Sequence, residues 1–444
     1  MKRGFYTIMA AQFLSSLADN ALLIAAIALL ASLGAPEWQT PLLKLFFVVS
    51  YVLLAAWVGI FADSMPKGRV MFLTNFLKAV GCLLMLFGGH PLLALALVRH
   101  YINVGIGAAA YSPAKYGILT ELLPAEKLVI ANGWIEGLTV GSIILGVVLG
   151  GVLIKPEIAS PILSLFHLNA IGLTSFAEAA IFAITFVYVA ASIVNLAIPD
   201  TGARYPKQKF DPIDSIRGFM TSCRLLWHDR LGQISLSVTT LFWGAGAVLQ
   251  FLVLKWCDHA LGMTLSEGAV MQAVVSLGIA VGAVLAAARV PLVKSLSVLP
   301  MGIIMGALVM CMAFFTRADA PAGGIELFGQ SLSWAVIIAS IGMIAVGICA
   351  GFFVVPMNAL LQHRGHVLMS AGRSIAVQNF NENLSILTML GVYSLLIKLD
   401  LSVPATMLTF GGFVMVSMAL VILKHHRNQR EFDSTHLIGE EKRH

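Results

Sequence analysis

Long apolar runs separated by short polar breaks dominate the chain. They fall at about 5–33, 40–62, 70–89, 92–112, 128–154 and 174–198. After a longer polar break they resume at about 232–257, 268–288, 297–315, 333–354, 374–397 and 403–424. A helix needs roughly 20 apolar residues to cross a bilayer, so the pattern predicts about twelve transmembrane helices. The expected fold is an all-α polytopic membrane protein. Six-helix bundles at 1–198 and 232–424 are joined by a linker at 199–231, and a polar tail occupies 425–444.

The linker has its own pattern. Ile216, Phe219, Met220, Cys223, Leu226 and Trp227 recur at helical spacing, with Arg217, Arg224 and Arg230 between them. This predicts a short amphipathic helix, which either lies along the membrane surface or docks on the bundle as a plain connector. The two halves also carry a faint repeat. Tyr111-Ser-Pro113 to Glu121 closes the fourth run, and Val354-Val-Pro356 to Arg364 closes the tenth. Each is followed by a run holding amides and a carboxylate: Asn132 and Glu136, then Gln378, Asn379 and Glu382. Related, pseudo-symmetric halves of this kind are a recurrent transporter design, with substrate bound near the midplane.

Composition narrows the class. The 444 residues are 59% hydrophobic and only 11% charged, whereas soluble domains carry about 25% charged residues. The formal charge of +6 speaks to orientation before partners. With the N-terminus inside, Lys67, Arg69, Lys115, Lys127, Arg217, Arg224, Arg289, Arg364 and Arg373 all fall inside, and little beyond Lys155, Arg317 and Lys398 falls outside. Both termini are therefore expected to be cytoplasmic, with membrane lipids as neighbours and no nucleic acid as partner. The five cysteines form no CxxC or Cys/His cluster, so neither a metal site nor a disulfide framework is expected, and nothing calls for a cofactor.

Gly59-Ile-Phe-Ala-Asp63-Ser-Met-Pro-Lys67-Gly68-Arg69 resembles the loop signature of the major facilitator superfamily, with two extra residues between the Asp and the Gly-Arg. In that superfamily fold, a carboxylate and a guanidinium there can clasp helices on one side of the cycle. The bland reading is an ordinary positive-inside turn. Lys115 and Glu121 join the clasp as a charge network. Longer segments sharpen the resemblance: Ala11 to Leu23 around Asp19 and Asn20, Gly107 to Leu119, Leu241-Phe-Trp-Gly-Ala-Gly, Gly351 to Gln362, and Ala376-Val-Gln-Asn379 to Asn383. Together they resemble the bacterial lysophospholipid transporter family. That resemblance implies transport of lysophosphatidylethanolamine and related lysolipids from the outer to the inner leaflet of the bacterial inner membrane. A separate cytoplasmic acyltransferase would re-acylate them, since only a short polar tail follows Lys424.

Such a substrate asks for a carboxylate to meet the amine, a cation to meet the phosphate, and an apolar flank. Asp19 lies mid-run, where a charge costs on the order of 2.5–3.5 kcal/mol on insertion scales, so it is the first candidate, with Asn20 beside it. Glu136, Asn379 and Glu382 are further intramembrane polar groups whose bland role is interhelical hydrogen bonding. Lys255, with Gln250 a turn and a half away, and Arg99 are the candidate cations. Where the family carries a basic residue this chain has Gln250. A lysine near a span end also snorkels without further role. Lys78 reads as structural. Gly133, Gly137, Gly141, Gly146 and Gly150 predict close helix approach along the fifth run. The nearest rival is a proton-coupled exporter of amphipathic drugs or cations, but its fifth-span signature would put proline where Gly151 stands. An enzyme is not expected: no histidine has Asp five residues later, and no GxSxG elbow occurs.

Overall fold

The computed structural model describes residues 3–34, 40–86, 93–205, 211–263, 265–327 and 330–438. The helices are α1 (Arg3–Ser32), α2 (Thr40–Leu53), α3 (Ala55–Asp63), α4 (Lys67–Leu86), α5 (Leu93–Leu122), α6 (Leu128–Leu153), α7 (Pro156–Leu165), α8 (Phe176–Leu196), α9 (Pro212–His228), α10 (Arg230–Leu261), α11 (Leu265–Arg289), α12 (Pro300–Met312), α13 (Trp334–Leu368), α14 (Ala371–Lys398) and α15 (Val403–Glu431). Ten of the described helical segments are long and apolar enough to cross a membrane.

The helices follow the apolar runs with instructive exceptions. The second run is two helices, interrupted at Leu54, where ψ is −1°. The fourth and tenth runs continue as helix through Pro113 and Pro356 into polar sequence. Proline removes one hydrogen-bond donor, and flanking helices can compensate for the loss. Pro356 lies in a stretch buried from Phe353 to Gly365, so tertiary packing outweighs the local penalty. Two elements have no counterpart in the hydropathy pattern: α7, and an antiparallel β-hairpin pairing Gly324–Leu327 with Gln330–Ser333.

Packing divides the chain into two compact units. One comprises Met1–Leu123, Gly141–Arg224 and Met369–Phe380; the other comprises Pro124–Val140, Leu225–Leu368 and Asn381–His444. In the first, α1 packs on α8, and α4 lies against α5 and α8. Ala18, Ala21, Ala25 and Leu29 of α1 bury against Ile181, Ile184 and Tyr188 of α8 and Cys82 of α4. Gly146 and Gly150 admit α1 to α6: a methyl on either would stand 2.7 Å from the carbonyl oxygen of Leu17 or Ala21.

In the second unit the most extensive helix pair is α11 with α13. Gly278 and Gly282 of α11 face Gly347 and Gly351 of α13. A methyl on Gly282 would lie 2.2 Å from the Ile348 carbonyl oxygen, and one on Gly351 2.1 Å from that of Ile279. This is the small-residue contact of membrane helix pairs. The expected glycine face of α6 is only partly used: Gly133 meets Ala283 and Ala287, while Gly137 and Gly141 face no described atom within 4 Å.

Candidate functional site

The first unit is built around a charge pair. α1 brings Asp19, and α4 brings Lys78, which the sequence pattern alone marks only as structural. The ammonium of Lys78 donates to both carboxylate oxygens of Asp19 at 2.9 Å and to the Ser15 hydroxyl at 3.0 Å. From α8, the Tyr188 hydroxyl donates to Asp19 Oδ1 at 2.6 Å. Ser15 donates onward to Asn75 Oδ1 at 2.7 Å. Lys78 also lies 5.1 Å from the Tyr111 ring centre and 5.6 Å from that of Tyr188. Gly107 of α5 makes room for its stem, since a methyl there would meet Lys78 Cγ at 2.7 Å.

The pair is asymmetric in exposure. The Lys78 side chain is 1% exposed and that of Asp19 is 22%. The ammonium is fully committed inside the protein, whereas the Asp19 side chain stays partly exposed. Charge-assisted contacts of this length are the strong class of hydrogen bond. They also meet the cost that a lone midspan charge would carry. Asn20 turns away from the pair: its amide donates to the Ser16 carbonyl at 2.8 Å. The missed partners carried a readable signal. Ser15 and Asp19 are four apart on one helix, and Asn75 and Lys78 three apart on another, so each set shares a helix face.

A second charged cluster stands where α3 turns into α4. Asp63 pairs with Lys67, four residues on, and accepts from the Ser370 hydroxyl. It also accepts from the Gly372 amide at 3.1 Å, at the start of α14. A methyl on Gly372 would strike Asp63 Oδ1 at 2.6 Å, so only glycine lets the helix end approach the carboxylate this closely. Lys67 sits 3.6 Å from Glu121, which accepts from Thr201 at 2.8 Å and Tyr205 at 2.9 Å. Burial and the Glu121 carboxylate beside it push the Tyr205 phenol well above its ordinary range. The cation of this cluster is thus a lysine; Arg69 is exposed. Lys115 lies 4.2 Å from the ring centre of its neighbour Tyr116.

The remaining candidates are dispersed. Asn379 is buried in the first unit, where its amide donates to Ser112 at 2.9 Å. Glu136 and Glu382 are buried in the second unit, 6% and 7% exposed. There Asn132 and Gln362 exchange two hydrogen bonds of 2.9 Å, and Arg364 donates to Asp229 at 2.7 and 3.2 Å. Gln250 and Lys255 are exposed on α10, and the Gln250 carbonyl accepts from Gln272. Arg99 lies on α5, but its side chain falls outside the described residues, as does the tail beyond residue 438.

Residues 8–389 match the model of the Major Facilitator Superfamily. Over 404 residues the chain is 42% identical to the lysophospholipid transporter LplT of Cronobacter sakazakii, covering 90% of each chain. Over 431 residues it is 41% identical to LplT of Enterobacter sp., covering 96% of this chain and 97% of the relative. The chain belongs to the lysophospholipid transporter family. Solved structures agree on the fold of this major facilitator protein. A bacterial homologue of the iron transporter ferroportin, in an outward-facing state, superposes with a TM-score of 0.69 at 14% identity, over 97% of this chain and 100% of that one. The Escherichia coli fucose:proton symporter gives 0.67 at 15%, over 96% and 98%. This family member is a multi-pass membrane protein, and the resemblance carried by its segments around Asp19, Asp63 and Lys115 holds over nearly its whole length.

Proposed function

We propose that this protein moves lysophospholipids, lysophosphatidylethanolamine and its relatives, from the outer to the inner leaflet of the bacterial inner membrane by alternating access. Both termini would lie in the cytoplasm, where a separate acyltransferase would re-acylate the delivered lipid. The identity of about two residues in five to lysophospholipid transporters, over nine-tenths of both chains, carries this reading. The Asp19 network supports it chemically: a partly exposed carboxylate side chain suits a headgroup ammonium. Arg99, Lys255 and Gln250 are the candidates for the phosphate, and Asn20, Glu136, Asn379 and Glu382 for further polar contacts. The cluster of Asp63, Lys67 and Glu121, with Lys115 as a further charge, is the proposed conformational clasp; Arg69, expected there, is exposed.

The test uses spheroplasts or oriented vesicles carrying the protein, with labelled lysophosphatidylethanolamine on the outer-leaflet side and an acyltransferase trapping what crosses. Protein-dependent trapping is expected. Its loss in Asp19→Asn counts only if Asp19→Asn/Lys78→Met, which buries no orphan charge, folds and also fails. No trapping above an empty-vector control, with correctly inserted protein, overturns the assignment.

A further inference from the structure

The linker helix α9 has a docked face and an exposed face, and the exposed face is organised. Within the first unit, Ser215 and Ser222, seven residues apart and so on one side of the helix, are 5% and 6% exposed. Phe219 meets Phe380 edge-on at 5.3 Å. Ser215 and Phe219 line a small cavity with Gly59 and Ile60 of α3 and Arg373 and Ala376 of α14. The helix is therefore seated on the ends of helices that belong to the membrane bundle. Chain connectivity says the same, because α10, a candidate span, begins two residues after α9 ends.

On the far side, Ile213, Ile216 and Met220 recur at three and four residues and form one stripe. They are 62%, 46% and 58% exposed. Beside that stripe run Arg217 and Arg224, again seven apart; both are exposed, Arg217 to 78% of its side chain, where it lies 3.8 Å from the equally exposed Asp214. An apolar stripe flanked by arginines, on a helix tethered at the level of span ends, matches the headgroup layer of a bilayer: acyl boundary for the apolar groups, phosphate for the guanidiniums. We propose that α9 is a membrane-surface element, with Ile213, Ile216 and Met220 entering the acyl boundary and Arg217 and Arg224 binding the phosphates of anionic phospholipids. The site differs from the headgroup site around Asp19 and stands whether or not the transport reading does.

The experiment places spin labels on full-length, reconstituted protein in a cysteine-free background, as Met220→Cys or Thr221→Cys. Accessibility to oxygen and to a water-soluble nickel chelate is read in nanodiscs of phosphatidylcholine with and without phosphatidylglycerol. The Met220 label is expected to be oxygen-rich and nickel-poor, more so with phosphatidylglycerol, and the Thr221 label nickel-accessible. Arg217→Gln/Arg224→Gln should remove the dependence on phosphatidylglycerol. A Met220 label as nickel-accessible as the Thr221 label in both discs overturns the proposal. So does one shielded from both reagents, since that means coverage by protein, or one indifferent to the anionic lipid. Should the cysteine-free protein fail to fold, hydrogen exchange of residues 212–224 in the unaltered protein decides the question: protection that rises with phosphatidylglycerol supports the proposal, and protection that does not change overturns it.

Discussion

The interiors of the two units are held together by different chemistry. Beneath the first lies an ion pair, Asp19–Lys78, with Tyr188, Ser15 and Asn75 around it. The described interior of the second combines a glycine seam between α11 and α13, a neutral amide pair, Asn132–Gln362, and a closed ion pair, Arg364–Asp229, with side chains 4% and 10% exposed. Packing and amide pairs stabilise without fixing a charge, and lipid-solvated helices associate well through both. A charge pair is a costlier device that a nonpolar isostere often replaces without loss. Where one persists with one partner partly exposed, binding is the natural reason for it. We propose that the partly open pair, Asp19–Lys78, meets substrate, and that the closed pair of the second unit, Arg364–Asp229, serves structure together with the glycine seam.

The sharpest way to break this contrast is to remove the charges. Asp19→Asn strips the counter-charge from an ammonium 1% exposed, and breaking a buried pair in this way costs about 3–5 kcal/mol. Lys78→Met leaves its carboxylate on a side chain that is 22% exposed, so its loss should be smaller. Asp19→Asn/Lys78→Met should melt closer to the unaltered protein than either single variant. Unfolding midpoints in detergent decide the matter, and strictly additive losses would mean that the two groups do not act as a pair.

Next in size is the seam. Gly282→Leu drives a side chain into the Ile348 carbonyl, a backbone atom that cannot rotate away. Overpacking of this kind costs typically about 1–3 kcal/mol. Gly107→Ala in the first unit also strikes Lys78 Cγ, and the two midpoints can be compared directly. If Gly107→Ala spares stability yet lowers trapping of lysolipid, the placement of Lys78 matters to function beyond the fold.

Much of this was legible in the sequence, and the gaps have physical causes. Hydropathy located the spans because the bilayer imposes their length, and it located Asp19 because a midspan charge stands out. It could not place α7 or the paired strands Gly324–Leu327 and Gln330–Ser333, whose short length leaves no clear apolar period. It does not reveal Lys78, because hydropathy carries no sign of which helix meets which; only the shared faces of Ser15/Asp19 and Asn75/Lys78 hint at the pairing. At the α3–α4 turn, the two extra residues after Asp63 put a lysine, not Arg69, one helical turn away. A lysine four residues on reaches the carboxylate directly, whereas Arg69 ends exposed.

A third test concerns the amides. Asn132→Leu orphans the Gln362 amide, buried at 1%, which costs about 1–3 kcal/mol. Asn132→Leu/Gln362→Leu removes both partners and should recover most of that. Equal losses in the single and double variants would show that these amides do more than satisfy one another, and the second unit would then need a functional account of its own.

The smallest expected effect on stability discriminates most about substrate. Lys255 and Gln250 are exposed on α10, and substitutions at such positions usually shift stability by no more than about 0.5 kcal/mol. Lys255→Gln should therefore leave the unfolding midpoint unchanged, and any change in transport is a reading of the substrate. If Lys255 meets the lysolipid phosphate equally in the bound state and during transit, the apparent KM for trapping rises while the maximal rate holds. If the rate falls instead, the contact matters during the crossing itself. If neither moves, the phosphate is met elsewhere, and Arg99→Gln becomes the informative variant. Only that last outcome leaves the cation of the site to the first unit, to which Asp19 and Arg99 both belong.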